Sequence, residues 1–255
     1  MTTANEIFLC LQRLAPVETQ ESYDNAGFLF GSRKMPVERV LLALDVTDAV
    51  IEEAAVKHVQ LIVTHHPLIF GKFQHVFPED PTGRHVIALA KKDFCVISMH
   101  TNLDKAEGGV NDALVDLFAP DRIERTERSP YLRIGIYDRA VPLEEFLQRA
   151  KDALKTNGLR YTASGKPVKK FAVLGGAGDG ELAEAYALGC DTFLTADIHY
   201  HAFLNAKELG MNLIDGDHFC TENPVMAVLK ERLEKQFPEV HFELSAVHAQ
   251  TVQFF

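Results

Sequence analysis

The chain has 255 residues, 47% of them hydrophobic and 24% charged, enough to bury a substantial core in one large domain or two modest ones. Its formal charge of −10 argues against a general duplex-binding surface, which depends on neutralising phosphates with Lys and Arg. It contains no run of eighteen apolar residues, so no membrane span is expected.

The N-terminus, MTTANEIFLCLQRLAP, lacks the basic region and apolar stretch of a secretory leader. It reads instead as an amphipathic helix with Ile7, Leu11 and Leu14 on one face. Cys10, Cys95, Cys190 and Cys220 are far apart and form no C-x-x-C, so they read as reduced thiols of a cytoplasmic protein. SYDNAGFLFG, residues 22–31, reads from composition as a hairpin or loop around an apolar strand. Next come a strand at 39–46, a helix at 48–58 and a strand running into QLIVTHH. A helix at 83–93, a strand at 94–100 and a helix at 109–118 complete the first half. The polar, charged connection APDRIERTERSP, residues 119–130, marks the boundary.

The second half repeats the rhythm. A strand at 131–137 is followed by a helix at 143–158, with Pro142 at its start and Gly158 at its stop. KFAVLGG, DTFLTAD, MNLID and VHFELSAV read as strands, separated by helices in GELAEAYALG, YHAFLNAKELG and NPVMAVLKERLEKQF. The alternation implies crossover units, and hence two similar α/β domains with mostly parallel or mixed sheets. We divide the chain into a first domain of residues 1–126 plus 232–255 and a second of 127–231.

Ligands in such sheets gather beyond the carboxyl ends of the strands. Those ends carry Asp45 and Thr47; His65 and His66; His100 and Asp104; Asp197, His199 and His201; and Asp215, Asp217, His218 and Glu222. Six of the eleven histidines fall there, which scattered core histidines would not do. Imidazole and carboxylate are the ligand chemistry of Zn, Fe, Mn, Co or Ni. Adjacent residues on a strand point to opposite faces, so His65 and His66 serve two ions or the chain leaves strand geometry before Pro67. His218 and Glu222, four apart, share a face if a helix starts there. HTNLD has the same spacing, but AEGGV after it reads as loop. His58, His75, His85, His241 and His248 read as hydrogen-bonded structural residues. GGAGDG, residues 175–180, lacks the spacing of a nucleotide-binding loop and reads as a tight turn. The residues at this point leave His65 and His66 open as hydrogen-bonded core histidines, an acid/base pair or metal ligands; with Asp104, His218 and Glu222 they suit a two-metal site, which would serve a hydrolase, a phosphoesterase, or a metal-holding scaffold or chaperone.

YDNAGFLFG, LIVTHHPLIF, MHTNLD, ADIHYH and GDHFCTE, in this order from Tyr23 to Glu222, resemble the motifs of the GTP cyclohydrolase I type 2 homologues, the NGG-interacting-factor-like dinuclear-metal proteins. The resemblance implies two similar α/β domains with the metal site between them, assembled as a toroidal homohexamer. It implies two divalent ions held by His65, His66, Asp104, His218 and Glu222, with Asp104 or Glu222 bridging. It further implies a hydrolase that opens the guanine ring of GTP with a hydroxide the ions hold. His100 and His201 are then the candidates for proton transfer or for orienting ligands. Tyr23 departs from the Trp usual in the family, and the short 119–130 connection leaves no room for the domain some members insert there.

Overall fold

A computed structural model describes residues 1–255 and divides them into two compact units, Met1–Gly109 with Met226–Ala249, and Val110–Val225 with Gln250–Phe255.

The first unit is built on a five-stranded sheet of β1 (Gly27–Phe30), β2 (Arg39–Ala43), β3 (Leu61–Thr64), β4 (Cys95–Ser98) and β11 (His241–Leu244). Its order is β1-β4-β3-β2-β11; β1 runs antiparallel to β4 and every other pairing is parallel. LIVT and CVIS are buried at every position, as expected of central parallel strands covered on both faces. Leu41, Ile62 and Val96 pack against Val50, Ile51 and Leu89 of α2 (Asp48–Val56) and α3 (Pro81–Lys92). The helix starts follow local chemistry. Thr3 and Glu6 form a capping box on α1 (Ala4–Leu14), Thr47 caps α2, and Asp80 precedes Pro81 at the first turn of α3.

The second unit carries a mixed six-stranded sheet, β5-β6-β8-β9-β10-β7, from β5 (Arg122–Arg125), β6 (Arg133–Val141), β7 (Arg160–Thr162), β8 (Val168–Ala177), β9 (Thr192–Ala196) and β10 (Asn212–Asp215). Only β8-β9 and β9-β10 are parallel. Alternate residues of β8 feed two cores. Phe171 and Val173 join Phe118, Phe146 and Tyr137, while Ala172 and Leu174 join Ile134, Phe193 and Leu213. The helices α5 (Val110–Asp116), α6 (Leu143–Leu154), α7 (Leu182–Ala187), α8 (Tyr200–Glu208) and the short α9 (His218–Glu222) complete these layers, and α10 (Pro224–Gln236) that follows belongs almost wholly to the first unit.

The structure corrects three expectations. The first crossing between units falls at Gly109–Val110 rather than at residue 126, because Leu114, Val115 and Phe118 belong to the core around Phe171. The charged connection contains β5, whose residues pair with β6 and are all exposed; an edge strand with polar side chains reads in sequence as a loop. HTNLDK is helical: α4 (Thr101–Lys105) forms over the buried Leu103, and Asn102 binds the backbone N–H of His100 and the carbonyl of Ala15. The sequence also passes over β7, a three-residue strand antiparallel to β10.

Candidate metal centre

Within the first unit, β3 ends at Thr64, whose hydroxyl meets Ser98 Oγ at 2.7 Å and donates to the carbonyl of His66 at 2.8 Å. The N–H groups of His65 and His66 both donate to the carbonyl of Leu44, at 3.2 and 3.0 Å. Two successive amides aimed at one acceptor are incompatible with strand alternation. The chain therefore leaves strand geometry before Pro67 and brings both rings to one side, with centroids 5.0 Å apart. His100, just past β4, joins them at 5.2 and 5.6 Å. One ring nitrogen from each of the three lies within 4.8 Å of the others. Asp104 on α4 places Oδ1 3.6 Å from His65 Nε2.

Each imidazole is anchored through Nδ1. His65 Nδ1 meets the carbonyl of Met99 at 2.7 Å, and a carbonyl can only accept, so the proton sits on Nδ1 and Nε2 is the basic atom. His66 Nδ1 lies 2.6 Å from Asp45 Oδ1, and His100 Nδ1 2.7 Å from Asp24 Oδ1. Both carboxyls are ionised. Burial works against the charge of Asp45, but hydrogen bonds from His248 and His66 outweigh it and hold the group well below the usual carboxylate range. Burial also opposes Asp24, yet bonds from His100 and Thr101 bring it down to about 2. His248, read from sequence as structural, thus sits 3.2 Å from the carboxylate that orients His66.

Within the second unit, α9 presents His218 and Glu222 on one face, with Nε2 and Oε2 3.1 Å apart. Asp217 caps this helix by accepting from the N–H of Cys220 at 3.2 Å. His218 Nδ1 is held by Asp197 at 2.7 Å. Burial opposes the charged form of His218, but Glu222 and Asp197 outweigh it and push its pKa up to about 9. The pair of carboxylates therefore favours positive charge at this imidazole. Gly175 and Gly176, read from sequence as the start of a tight turn, lie instead in the last three residues of β8 and make room for this pair. A Cβ on Gly176, whose φ is +70°, would lie 2.1 Å from Glu222 Oε1 and 3.3 Å from His218 Nε2. The N–H of Gly176 donates to Thr221 Oγ1 at 3.0 Å, which pins the strand to α9.

His199 and His201 lie elsewhere in the second unit. His199 bonds Asp179 at 2.8 Å, and His201 is exposed on α8 with its ring 5.3 Å from Tyr200. Both line a concavity of about 500 Å³ between α7 and α8. Among the remaining histidines, His85 meets Asp48 at 3.3 Å and His241 meets Glu243 at 2.9 Å, in keeping with structural roles. The carboxylates Asp24, Asp45 and Asp197, which hold His100, His66 and His218, have no role in the reading of the sequence. Asp45 and Asp197 stand at strand ends, where a search for histidine partners would have found them. Asp24 lies in the stretch that composition assigned to a hairpin or loop.

The donors fit divalent ions. Three imidazoles proposed as ligands (His65, His66 and His218) have Nδ1 fixed by a carbonyl or carboxylate, which leaves Nε2 as the atom turned toward an ion, at His218 in exchange for the proton that Glu222 and Asp197 favour there. Imidazole with carboxylate suits Zn, Fe, Mn, Co or Ni over Ca or Mg.

The chain is similar to known proteins over nearly its whole length. A Clostridium perfringens protein named GTP cyclohydrolase 1 type 2 homolog is 34% identical over 249 residues, covering 94% of this chain and 95% of its own. A Helicobacter pylori (strain 26695) protein named GTP cyclohydrolase 1 type 2 is 29% identical over 233 residues, covering 91% and 92%. Among solved structures, a hypothetical protein of Staphylococcus aureus matches with a TM-score of 0.92 at 28% identity and 99% coverage of both chains. Reduced HcgD from Methanocaldococcus jannaschii matches with a TM-score of 0.81 at 26% identity, covering 95% and 97%. No helix is long and apolar enough to cross a membrane. The family model described as Duf34/NIF3 (NGG1p interacting factor 3) matches residues 2–253, and with the motif order and the fold in agreement the chain belongs to that family.

Proposed function

We propose that this protein is a dinuclear metal-dependent hydrolase of a nucleotide-like substrate, with GTP the first candidate. His65, His66 and Asp104 of the first unit and His218 and Glu222 of the second are the proposed ligands of two divalent ions. The observation that carries the reading is the common orientation of the three histidines, each held at Nδ1 by an acceptor so that Nε2 is the atom offered. When bound, two such ions supply positive charge that polarises an electrophilic carbon or phosphorus and brings the ionisation of water into the neutral range.

The chain's own residues do the rest. Asp24 fixes the proton of His100 on Nδ1, so His100 Nε2 is a proton acceptor beside His65 and His66. Asp45 and Asp197 hold the rings of His66 and His218 through Nδ1. Gly176 leaves the carboxylate of Glu222 its space. His201, exposed on α8, is the weaker candidate for proton transfer. The names carried by the Clostridium and Helicobacter relatives support a cyclohydrolase, in which the imidazole ring of guanine opens by addition of water. A toroidal homohexamer is part of the same proposal, and sedimentation of the purified chain tests it.

The deciding experiment is turnover by protein reconstituted with Zn, Mn, Fe(II), Co or Ni, assayed against GTP, other nucleotides and phosphoesters, with Glu222→Gln as control. Ring opening of GTP that requires metal and is lost in Glu222→Gln supports the proposal. Hydrolysis of phosphoesters alone assigns a phosphoesterase instead. Two bound metals without turnover of any of these substrates assigns a metal-holding scaffold or chaperone.

A further inference from the structure

We infer that Phe70 is a stacking platform for the planar base of a nucleotide bound at the His65, His66 and His100 group. The inference rests on the nucleotide reading above and goes beyond it by naming the residue that reads the base.

Phe70 lies in the segment between β3 and α3 and is 57% exposed. It is held at the site on two sides. The side-chain amide of Asn25 donates to the carbonyl of Ile69 at 2.8 Å, which fixes the backbone just before Phe70. The N–H of Asn25 donates to Asp24 Oδ1 at 2.7 Å, and the same oxygen receives His100 Nδ1 at 2.7 Å. The Asp24-Asn25 dipeptide therefore sets both the ring of His100 and the chain that carries Phe70. The two rings meet at right angles, 88° between planes and 5.8 Å between centroids. In that geometry His100 occupies at most one face of Phe70, and at least one π face is turned elsewhere. Tyr23, the residue before Asp24, is 65% exposed and adds a second aromatic surface on the same short stretch.

A phosphoester without a ring would make no use of such a platform. A nucleobase would, because its flat face stacks on an aromatic ring whatever its edge chemistry. Stacking also positions the base without a basic side chain, in keeping with the carboxylates Asp24, Asp45 and Asp104 that populate this part of the unit.

The test is calorimetric binding of GTP and of inorganic tripolyphosphate to the metal-reconstituted full chain and to Phe70→Ala and Phe70→Trp. Metal content and sedimentation are measured on each variant. Base–aromatic stacking predicts that Phe70→Ala weakens GTP by roughly fivefold to a hundredfold, with tripolyphosphate unchanged and Phe70→Trp close to wild type. GTP affinity unchanged in Phe70→Ala at equal metal content would overturn the inference and leave the nucleotide reading standing. The same result with an altered sedimentation coefficient would assign the exposed loop to protein contact. Wild-type protein that binds GTP no better than tripolyphosphate would show that the base is not read, overturning the inference while the metal centre stands. Binding of neither would overturn both readings.

Discussion

Gly176→Ala is the sharpest single perturbation of the His218–Glu222 pair. At φ +70° an alanine costs about 1–2 kcal/mol in backbone strain alone. Its methyl would lie 2.1 Å from Glu222 Oε1 and 3.0 Å from Glu222 Cδ, well inside van der Waals contact, so the carboxylate must swing away or α9 must move. Swinging the end of one side chain is cheap in stability, but moving the carboxylate also carries its other oxygen, Oε2, from its place beside His218 Nε2. The expected result is a modest fall in melting temperature, roughly 2–8 °C for a chain of this size, with a much larger loss of bound metal. Gly180→Ala, where nothing lies within 4 Å and φ is ordinary, is the matched control in the same glycine-rich stretch. Calorimetric melting and elemental analysis of both variants, before and after metal reconstitution, make the comparison. Wild-type metal content in Gly176→Ala would refute the argument that the glycine exists to seat Glu222.

The proposed ligands come from distant segments, so metal removal should destabilise the chain. A ligand at a hundredfold excess over its dissociation constant contributes about 2.7 kcal/mol, and chelation should lower the melting temperature accordingly. An unchanged melt after verified removal contradicts this. Elemental analysis should approach two equivalents in wild type and fall in His65→Ala and in His66→Ala; full retention of both ions in both variants removes these residues as ligands. Glu53 supplies an acid-sensitive tie. Burial opposes its charge, but Ser245, the N–H of Ala246 and Lys57 outweigh that and set its pKa below the ordinary 4.5. A carboxylate with a lowered folded pKa contributes stability above the unfolded value and loses it as pH falls through the folded one. Glu53→Gln should therefore flatten the fall in melting temperature below pH 4.5, and parallel acid limbs would exclude the role. Among the thiols, burial pushes Cys190 and Cys220 up to about 12, while Cys10 is raised less and is partly exposed. A thiol reagent at neutral pH should modify Cys10 first and the buried pair only on unfolding, so rapid native labelling at Cys190 or Cys220 would be inconsistent with their packing.

The alternation of buried strands with helices was legible because it rests on local patterning. LIVT and CVIS are continuous apolar runs, and Thr47 or Asp80 ahead of a helix is a start signal carried by one residue. What the sequence hid was decided by partners far along the chain. RIER is a strand only because β6 offers it an edge, and HTNLDK is a helix because Ala15, over eighty residues earlier, accepts from Asn102. The unit boundary was misread for a related reason. A charged stretch reads as a linker, although Leu114 and Phe118 ahead of it join the core around Phe171.

The donor atoms of the site follow the same division. Which residues offer imidazole and carboxylate is written in the motifs, but which nitrogen of each ring is offered is not. That choice belongs to Asp24 for His100, Asp45 for His66, the carbonyl of Met99 for His65 and Asp197 for His218. Each anchor lies between 21 and 76 residues from its histidine, so no local pattern connects them. Their effect is nonetheless the condition for metal chemistry. An imidazole with its proton on Nε2 cannot ligate through that atom, and one with an unfixed ring loses rotational freedom on binding. The folded sheets thus supply to the motif histidines what the motifs themselves lack, a single tautomer and a single direction.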